Sequence, residues 1–171
     1  MLSNLVTKNL AKLDVNLEQE FIEEIKNSKS YIWISADGMP DGSIGFIKKS
    51  TNAGFFTAKI KRFPTIVAAI NRLYPTVNIK NSYVTKLMPR YVMKMHIDKN
   101  RDTAILAPLG SNKGELVHEM YGIKFNTHVY TGPALARVDV LHSATNTSDE
   151  IRYALTLEVP GTFKENTKIY N

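Results

Sequence analysis

The sequence predicts an α+β domain, and three observations predict it. Two amphipathic helical segments precede Pro75, and from Val77 onward at least six short strand-like runs follow one another. Helices followed by strands, rather than strict alternation, read as α+β. The strands can close as a sandwich or barrel with the helices packed on one face. The length of 171 residues and the hydrophobic content of 43% suit one domain with a sizeable core.

In chain order, Asn16 and Gln19 resemble a capping box, and Leu17, Phe21 and Ile25 recur at helical spacing among Glu18, Glu20, Glu23 and Glu24. Acidic residues early in a helix suit its dipole, so a helix is expected over about Leu17 to Ser28. YIWIS, Tyr31 to Ser35, is β-branched and aromatic and reads as a strand, and ADGMPDGS after it is turn chemistry. GFFTAKI, Gly54 to Ile60, is a further strand candidate. Pro64 suits the first turn of a second helix, TIVAAINRLY, ending before Pro75. The later strands are expected at Tyr83 to Met88, Tyr91 to Ile97, Thr103 to Leu109, Ile123 to Tyr130, Ala134 to Leu141 and Ile151 to Val159. Pro89, Gly110, Gly114, Gly132 and Asn146 fall in the breaks. The single domain thus divides into a helix-rich part (1–76), a β core (77–160) and a polar tail (161–171).

Composition excludes several chemistries. Cysteine is absent, so disulfides and thiolate metal sites are both ruled out, and any metal must be held by His, Asp or Glu. No apolar run approaches the length of a membrane span. The opening MLSNLVTKNLAKLD is too interrupted for a secretory signal, and a cytoplasmic setting is expected. The net charge of +6 suits an acidic substrate, an anionic cosubstrate or nucleic acid. The basic residues are dispersed, without the aromatic interleaving of a nucleic-acid module.

The chemistry centres on MHIDKNRDTAILAPL. In a strand, residues i and i+2 face the same way, so His96 and Asp98 can reach one ion together. With four His and seven Asp in the chain, a His-x-Asp arises by chance in roughly one sequence in six of this composition. Further residues must therefore carry the reading. In ALARVDVLHSATNTS, counting by twos back from His142 gives Val140, Val138 and Ala136, an apolar face, while Leu141, Asp139 and Arg137 lie on the other. His142 is thus inward, as a ligand or as a hydrogen-bonded core residue. Arg152 follows in EIRYALTLEV, with small Ala154 and Thr156 on its face and bulky Ile151, Tyr153, Leu155, Leu157 and Val159 opposite. An inward guanidinium calls for an anion, and a bidentate carboxylate matches its fork; on a surface face a salt bridge to Glu158 or another acid would serve it instead. Two His and one carboxylate leave three positions of an octahedral ion open, as in the facial triad of non-haem Fe(II) oxygenases. A structural zinc site would be closed by four protein ligands.

HIDKNRDTAILAPLG together with YTGPALARVDVLHSATNTSDEIRYALTLEV resembles the Fe(II)/2-oxoglutarate-dependent dioxygenase superfamily, in particular its aspartyl/asparaginyl β-hydroxylase-like and prolyl-hydroxylase-like branches. The resemblance spans about Tyr83 to Val159. It implies a double-stranded β-helix, a jelly-roll or cupin-like arrangement, with iron at one open end. It implies His96, Asp98 and His142 as metal ligands and Arg152 as the partner of the distal carboxylate of 2-oxoglutarate, with Thr103 or Tyr83 as a supporting hydroxyl. Thr103 is expected to share a face with Arg101, Ile105 and Ala107. It implies hydroxylation of a peptide or protein side chain, or of an amino acid, with dioxygen consumed and succinate and carbon dioxide released.

Lys94, Arg90, Tyr91 and Arg101 lie near the expected metal end, and Trp33 is a candidate pocket residue that reads first as core or edge strand. His118 and His128 read as surface or loop residues; as a ligand pair, His118 and Glu119 would point to opposite faces. The rival readings are a cupin-type metal-dependent enzyme without 2-oxoglutarate and a non-catalytic β-sandwich binding module.

Overall fold

The computed structural model describes residues 2–35, 54–111, 114–129 and 132–170. The turn expected at ADGMPDGS lies outside them. Strand β1 (Thr7–Asn9) precedes helix α1 (Val15–Lys26), and β2 (Ile34–Ser35) and β3 (Phe55–Lys59) lead to helix α2 (Pro64–Leu73). Then come β4 (Asn78–Leu87), β5 (Thr103–Leu109), β6 (Glu115–Met120), β7 (Ile123–Val129), β8 (Ala134–Arg137), β9 (Leu141–Thr145), β10 (Arg152–Glu158) and helix α3 (Phe163–Ile169). Two antiparallel sheets result, a seven-stranded one in the order β1-β8-β5-β10-β4-β3-β2 and a three-stranded one in the order β7-β6-β9. The helix-rich front of the chain therefore also supplies three strands to the larger sheet.

Helix α1 starts earlier than its periodicity suggests. Asp14, not Asn16, is the N-cap, and its carboxylate accepts from the backbone N–H groups of Asn16 and Leu17. Asp and Asn cap equally well, and here the helix gains two further residues before its apolar stripe begins. Helix α2 has no side-chain cap of its own. Its first free N–H groups, on Thr65 and Ile66, each donate at 3.0 Å to one oxygen of Glu24 from α1. The carboxylate satisfies two orphan donors and sits at the positive end of the helix dipole. Glu24→Ala should cost about 1–2 kcal/mol, or about 2–8 °C of thermal midpoint by scanning calorimetry, with Glu24→Gln in between.

The main core lies outside the two-sheet sandwich. Phe21, Ile25, Phe63, Ile66 and Ile70 of the helical part pack on Val84, Ile105, Ala107, Leu109, Leu135, Leu155 and Leu157 of the larger sheet. Registers Val84↔Leu155, Leu155↔Ala107 and Ile105↔Leu135 put those strand residues on one face. The other face looks at the small sheet and carries short side chains, among them Ala104, Ala134, Ala136 and Ala154, all buried. Among the described residues, Leu116 and Ala136, with Leu106 packed against them, form a small apolar cluster between the sheets. The largest buried side chains thus fasten sheet to helices, and the inter-sheet face carries smaller ones.

Several expected strands are interrupted. YIWIS forms a 3-10 turn at Ser30–Ile32 before the two-residue β2, and Trp33 packs on Phe63 under the helices, not in an inter-sheet pocket. Ala134 to Leu141 is not one strand. β8 ends at Arg137, the chain crosses between sheets through Val138–Val140, and β9 begins at Leu141. The buried Val138 belongs to that crossover, so the apolar parity counted back from His142 does not describe one face. Tyr91 to Ile97 pairs only at Val92↔Thr145 and His96↔His142. Four steps on one side span three on the other, the mark of a bulge, which re-aims side chains next to functional sites. GELVHEM, not expected as a strand, is β6, and part of the polar tail is α3, capped by the Thr162–Glu165 box.

Candidate metal centre

His96, Asp98 and His142 converge, with one possible ligand atom from each lying within 4.8 Å of the others. Asp98 Oδ1 is 3.5 Å from His96 Nε2 and 3.9 Å from His142 Nε2. The residues arrive from three directions. His96 is bridged to His142 by reciprocal backbone hydrogen bonds. The Asp98 N–H donates to the carbonyl of Val138 in the crossover. His142 sits near the start of β9, in register with His118 of β6.

The ring orientations are fixed. Nδ1 of His96 lies 2.8 Å from the Lys94 carbonyl, and Nδ1 of His142 lies 2.8 Å from the Val140 carbonyl. A carbonyl only accepts, so each Nδ1 donates, which leaves Nε2 as the nitrogen that a metal would take. Burial pushes the His142 pKa down to about 4, with the Asp98 carboxylate opposing and His96 and His118 reinforcing the shift. The imidazole is therefore neutral at pH 7 and able to ligate. Asp98 is held too, because Arg101 Nε donates to its Oδ2 at 2.6 Å. Among the described residues no fourth His, Cys, Asp or Glu joins the group.

His118, read from sequence as a surface or loop residue, is instead fully buried. Its Nε2 donates to the Arg137 carbonyl at 2.9 Å, and its Nδ1 hydrogen-bonds the Thr127 hydroxyl at 3.0 Å. Its ring lies 5.9 Å from that of His142, centroid to centroid. It braces the crossover behind the distal ligand. Arg137 and Asp139 form a half-buried ion pair, at 2.6 and 2.8 Å. Lys94 is exposed, and Arg90 pairs with Asp149. The side chain of His128 lies outside what the structure describes.

Arg152 opens β10 on the inter-sheet face and is buried. Registers Arg152↔Leu87 and Thr156↔Leu106 place it on the face of the small residues. Its Nη1 donates to the Thr145 carbonyl at 3.3 Å. Thr145 ends β9, three residues and about 10 Å of strand from His142, so the guanidinium meets the end of β9 away from the triad. Glu158, the acid suggested by sequence as a salt-bridge partner, lies six residues on and accepts from Asn78 instead. Gly114, at φ +67°, floors this arginine, and a Cβ there would fall 2.8 Å from both Cδ and Nε of Arg152. Spacing alone gave no sign of this contact.

The two hydroxyl candidates lie elsewhere. Thr103 pairs with Arg137 and shares the face of Ile105 and Ala107, the face packed on the helices and opposite to that of Arg152. Tyr83 shares the inter-sheet face, yet it is four residues, about 13 Å of strand, from the Leu87 that pairs with Arg152. Its hydroxyl accepts from Lys59 Nζ at 2.5 Å.

No protein-family model matches the chain, and no curated protein does. Solved structures do match. A prolyl hydroxylase from Trichoplax adhaerens, in complex with a hypoxia inducible factor oxygen degradation domain peptide fragment, superposes with a TM-score of 0.61 at 15% identity, covering 99% of this chain and 93% of that one. The fold is a double-stranded β-helix. A Pseudomonas putida prolyl-4-hydroxylase gives a TM-score of 0.52 at 14% identity, with 94% and 100% covered. A 2OG-Fe(II) oxygenase family oxidoreductase from Burkholderia pseudomallei gives 0.51 at 12% identity, with 64% and 69% covered. At these identities the likeness establishes the fold, and the chemistry must be argued from the site. Among the described residues no helix is long and apolar enough to cross a membrane.

Proposed function

We propose that this chain is a non-haem Fe(II)- and 2-oxoglutarate-dependent dioxygenase that hydroxylates a peptide or protein side chain, or an amino acid, releasing succinate and carbon dioxide. The observation that carries the reading is the convergence of two imidazoles, each with Nδ1 against a backbone carbonyl, and one carboxylate oxygen. That donor set fits ferrous iron with open coordination positions. A closed zinc site would need a fourth protein ligand. Bound together, iron and 2-oxoglutarate supply the oxidising power to insert one atom of dioxygen into a C–H bond, the other atom going into succinate.

The chain's own residues bind and orient. His96 and His142 offer Nε2, and Asp98 offers Oδ1. Arg152, buried on the inter-sheet face, holds the distal carboxylate of 2-oxoglutarate. Thr103, on the opposite face, and Tyr83, about 13 Å of strand away, take no part in holding it. Of the two branches that the sequence resembles, the prolyl-hydroxylase-like one is represented among the compared structures, one of which holds a peptide. A peptide substrate also suits the surface beside the triad. The β6–β7 hairpin projects there past His118 and presents Tyr121, 83% exposed, and the exposed Ile123.

A succinate-release assay over peptides, free amino acids and nucleotides tests the proposal. Turnover with a peptide or amino acid supports it, and iron-dependent succinate release without added substrate establishes the chemistry alone. No succinate under any condition overturns it.

Gly114 gives a second expectation. Gly114→Ala should raise the 2-oxoglutarate requirement as well as lower stability, since the new methyl meets Arg152 and the Thr145 carbonyl. Gly110→Ala is the control. Its φ of +76° carries a similar left-handed strain of about 1–2 kcal/mol, but its Cβ would meet only Ile22 at an ordinary 3.5 Å. Thermal midpoints should fall in both variants, and the cosubstrate KM should rise only in Gly114→Ala.

A further inference from the structure

We infer that Arg101 is a positioning residue that restricts Asp98 to one-oxygen coordination, keeping open a metal position that the carboxylate would otherwise take. The inference rests on the metal-site reading above. Asp98 divides its oxygens between two tasks. Oδ1 faces both imidazole Nε2 atoms, while Oδ2 receives the Arg101 Nε–H at 2.6 Å. The pair is shielded, with side-chain exposures of 7% for Asp98 and 14% for Arg101. A charge-assisted hydrogen bond in such surroundings meets little competition from water.

The backbone holds the arrangement from both ends. The Asp98 N–H donates to the Val138 carbonyl, and the Val138 N–H donates to the Asp102 carbonyl. The arc from Asp98 to Asp102 is thereby closed against the β8–β9 crossover, and Arg101 projects from it back onto Asp98. Rotation of the carboxylate about its χ2, which would bring Oδ2 towards the ion, breaks the 2.6 Å bond.

This matters because a carboxylate can bind one or two positions of an ion. With one position each for His96, His142 and Asp98, an octahedral ion keeps three for cosubstrate and dioxygen. A second Asp98 oxygen would remove one of them. The guanidinium also draws charge from the carboxylate and makes it a weaker donor. Loss of Arg101 should therefore leave ion binding intact or tighter while weakening cosubstrate chelation. A merely structural ion pair would change stability and leave coordination alone.

The experiment compares wild type, Arg101→Ala, Arg101→Gln and Arg101→Lys by titration with Co(II), then with 2-oxoglutarate on the Co(II) form, read in the visible d–d spectrum, with thermal melting alongside. The expected result is Co(II) affinity in Arg101→Ala equal to or above wild type and an altered d–d spectrum before cosubstrate. The 2-oxoglutarate midpoint should be raised about tenfold, the equivalent of one lost charge-assisted hydrogen bond, with Arg101→Lys restoring part of it. If Arg101→Ala does not fold, Arg101→Gln and Arg101→Lys carry the same comparison. Variants that lower the melting temperature but keep the wild-type spectrum and midpoint overturn the inference. So do variants that lose Co(II) altogether, which would make Arg101 necessary for the ion itself. A wild-type protein that takes up no Co(II) overturns the metal-site reading and this inference with it.

Discussion

His142→Ala should give a folded protein that no longer retains iron and releases no succinate. The side chain supplies one of three donors, and its neighbours cannot replace it. His118 is the nearest spare imidazole, but both of its nitrogens are engaged, with Thr127 and Arg137. The fold should survive because β9 is held by its backbone pairing to β6 from Leu141 to Thr145. The lost group is neutral at pH 7, its pKa being pushed down to about 4, so no buried charge is left uncompensated. A stability loss of about 1–3 kcal/mol is expected for the vacated volume. His96→Ala should match it in metal loss at a smaller stability cost, because His96 is less buried. Metal analysis after gel filtration, with circular dichroism on the same sample, reads both effects. Full iron retention by both variants would move the metal site elsewhere.

Arg152→Ala is expected to raise the 2-oxoglutarate requirement by about 1.5–3 kcal/mol, roughly 10- to 150-fold, with iron affinity unchanged. The guanidinium is buried beside Thr145 and Gly114, on the small-residue face of the larger sheet and away from the triad. Iron binding and cosubstrate binding should therefore separate cleanly. Arg152→Lys keeps the charge but not the fork and should recover only part of the loss. A cosubstrate affinity unchanged in a destabilised Arg152→Ala would assign the residue to structure alone.

The sequence made the strand at Thr103 to Leu109 and the helix opened by Pro64 legible, because each is a local pattern bounded by punctuating residues. The grouping of His96, Asp98 and His142 was legible because a small donor set survives ignorance of the exact strand ends. What escaped were tertiary decisions. Val138 and Val140 continue the apolar alternation of Ala134 and Ala136, so nothing local marks the chain's passage between sheets there. The bulge between Val92 and His96 arises from pairing with β9, which lies about fifty residues away. His118 looked like a surface residue because its partners, the Thr127 hydroxyl and the Arg137 carbonyl, come from other strands. The face of Thr103 could be placed only once Ile105 and Ala107 were seen against the helices. Arg101, three residues after Asp98, was a local signal, but only folding of that loop shows the contact.

The most direct measurement is an anaerobic titration of the protein with Fe(II) and then 2-oxoglutarate, followed in the visible spectrum. One iron per chain is expected, with a weak charge-transfer band that forms only when both are present, is absent in His142→Ala and requires more cosubstrate in Arg152→Ala. Iron uptake without the band would indicate a cupin-type centre that does not use 2-oxoglutarate, and no iron uptake would leave a binding module; either result contradicts the account.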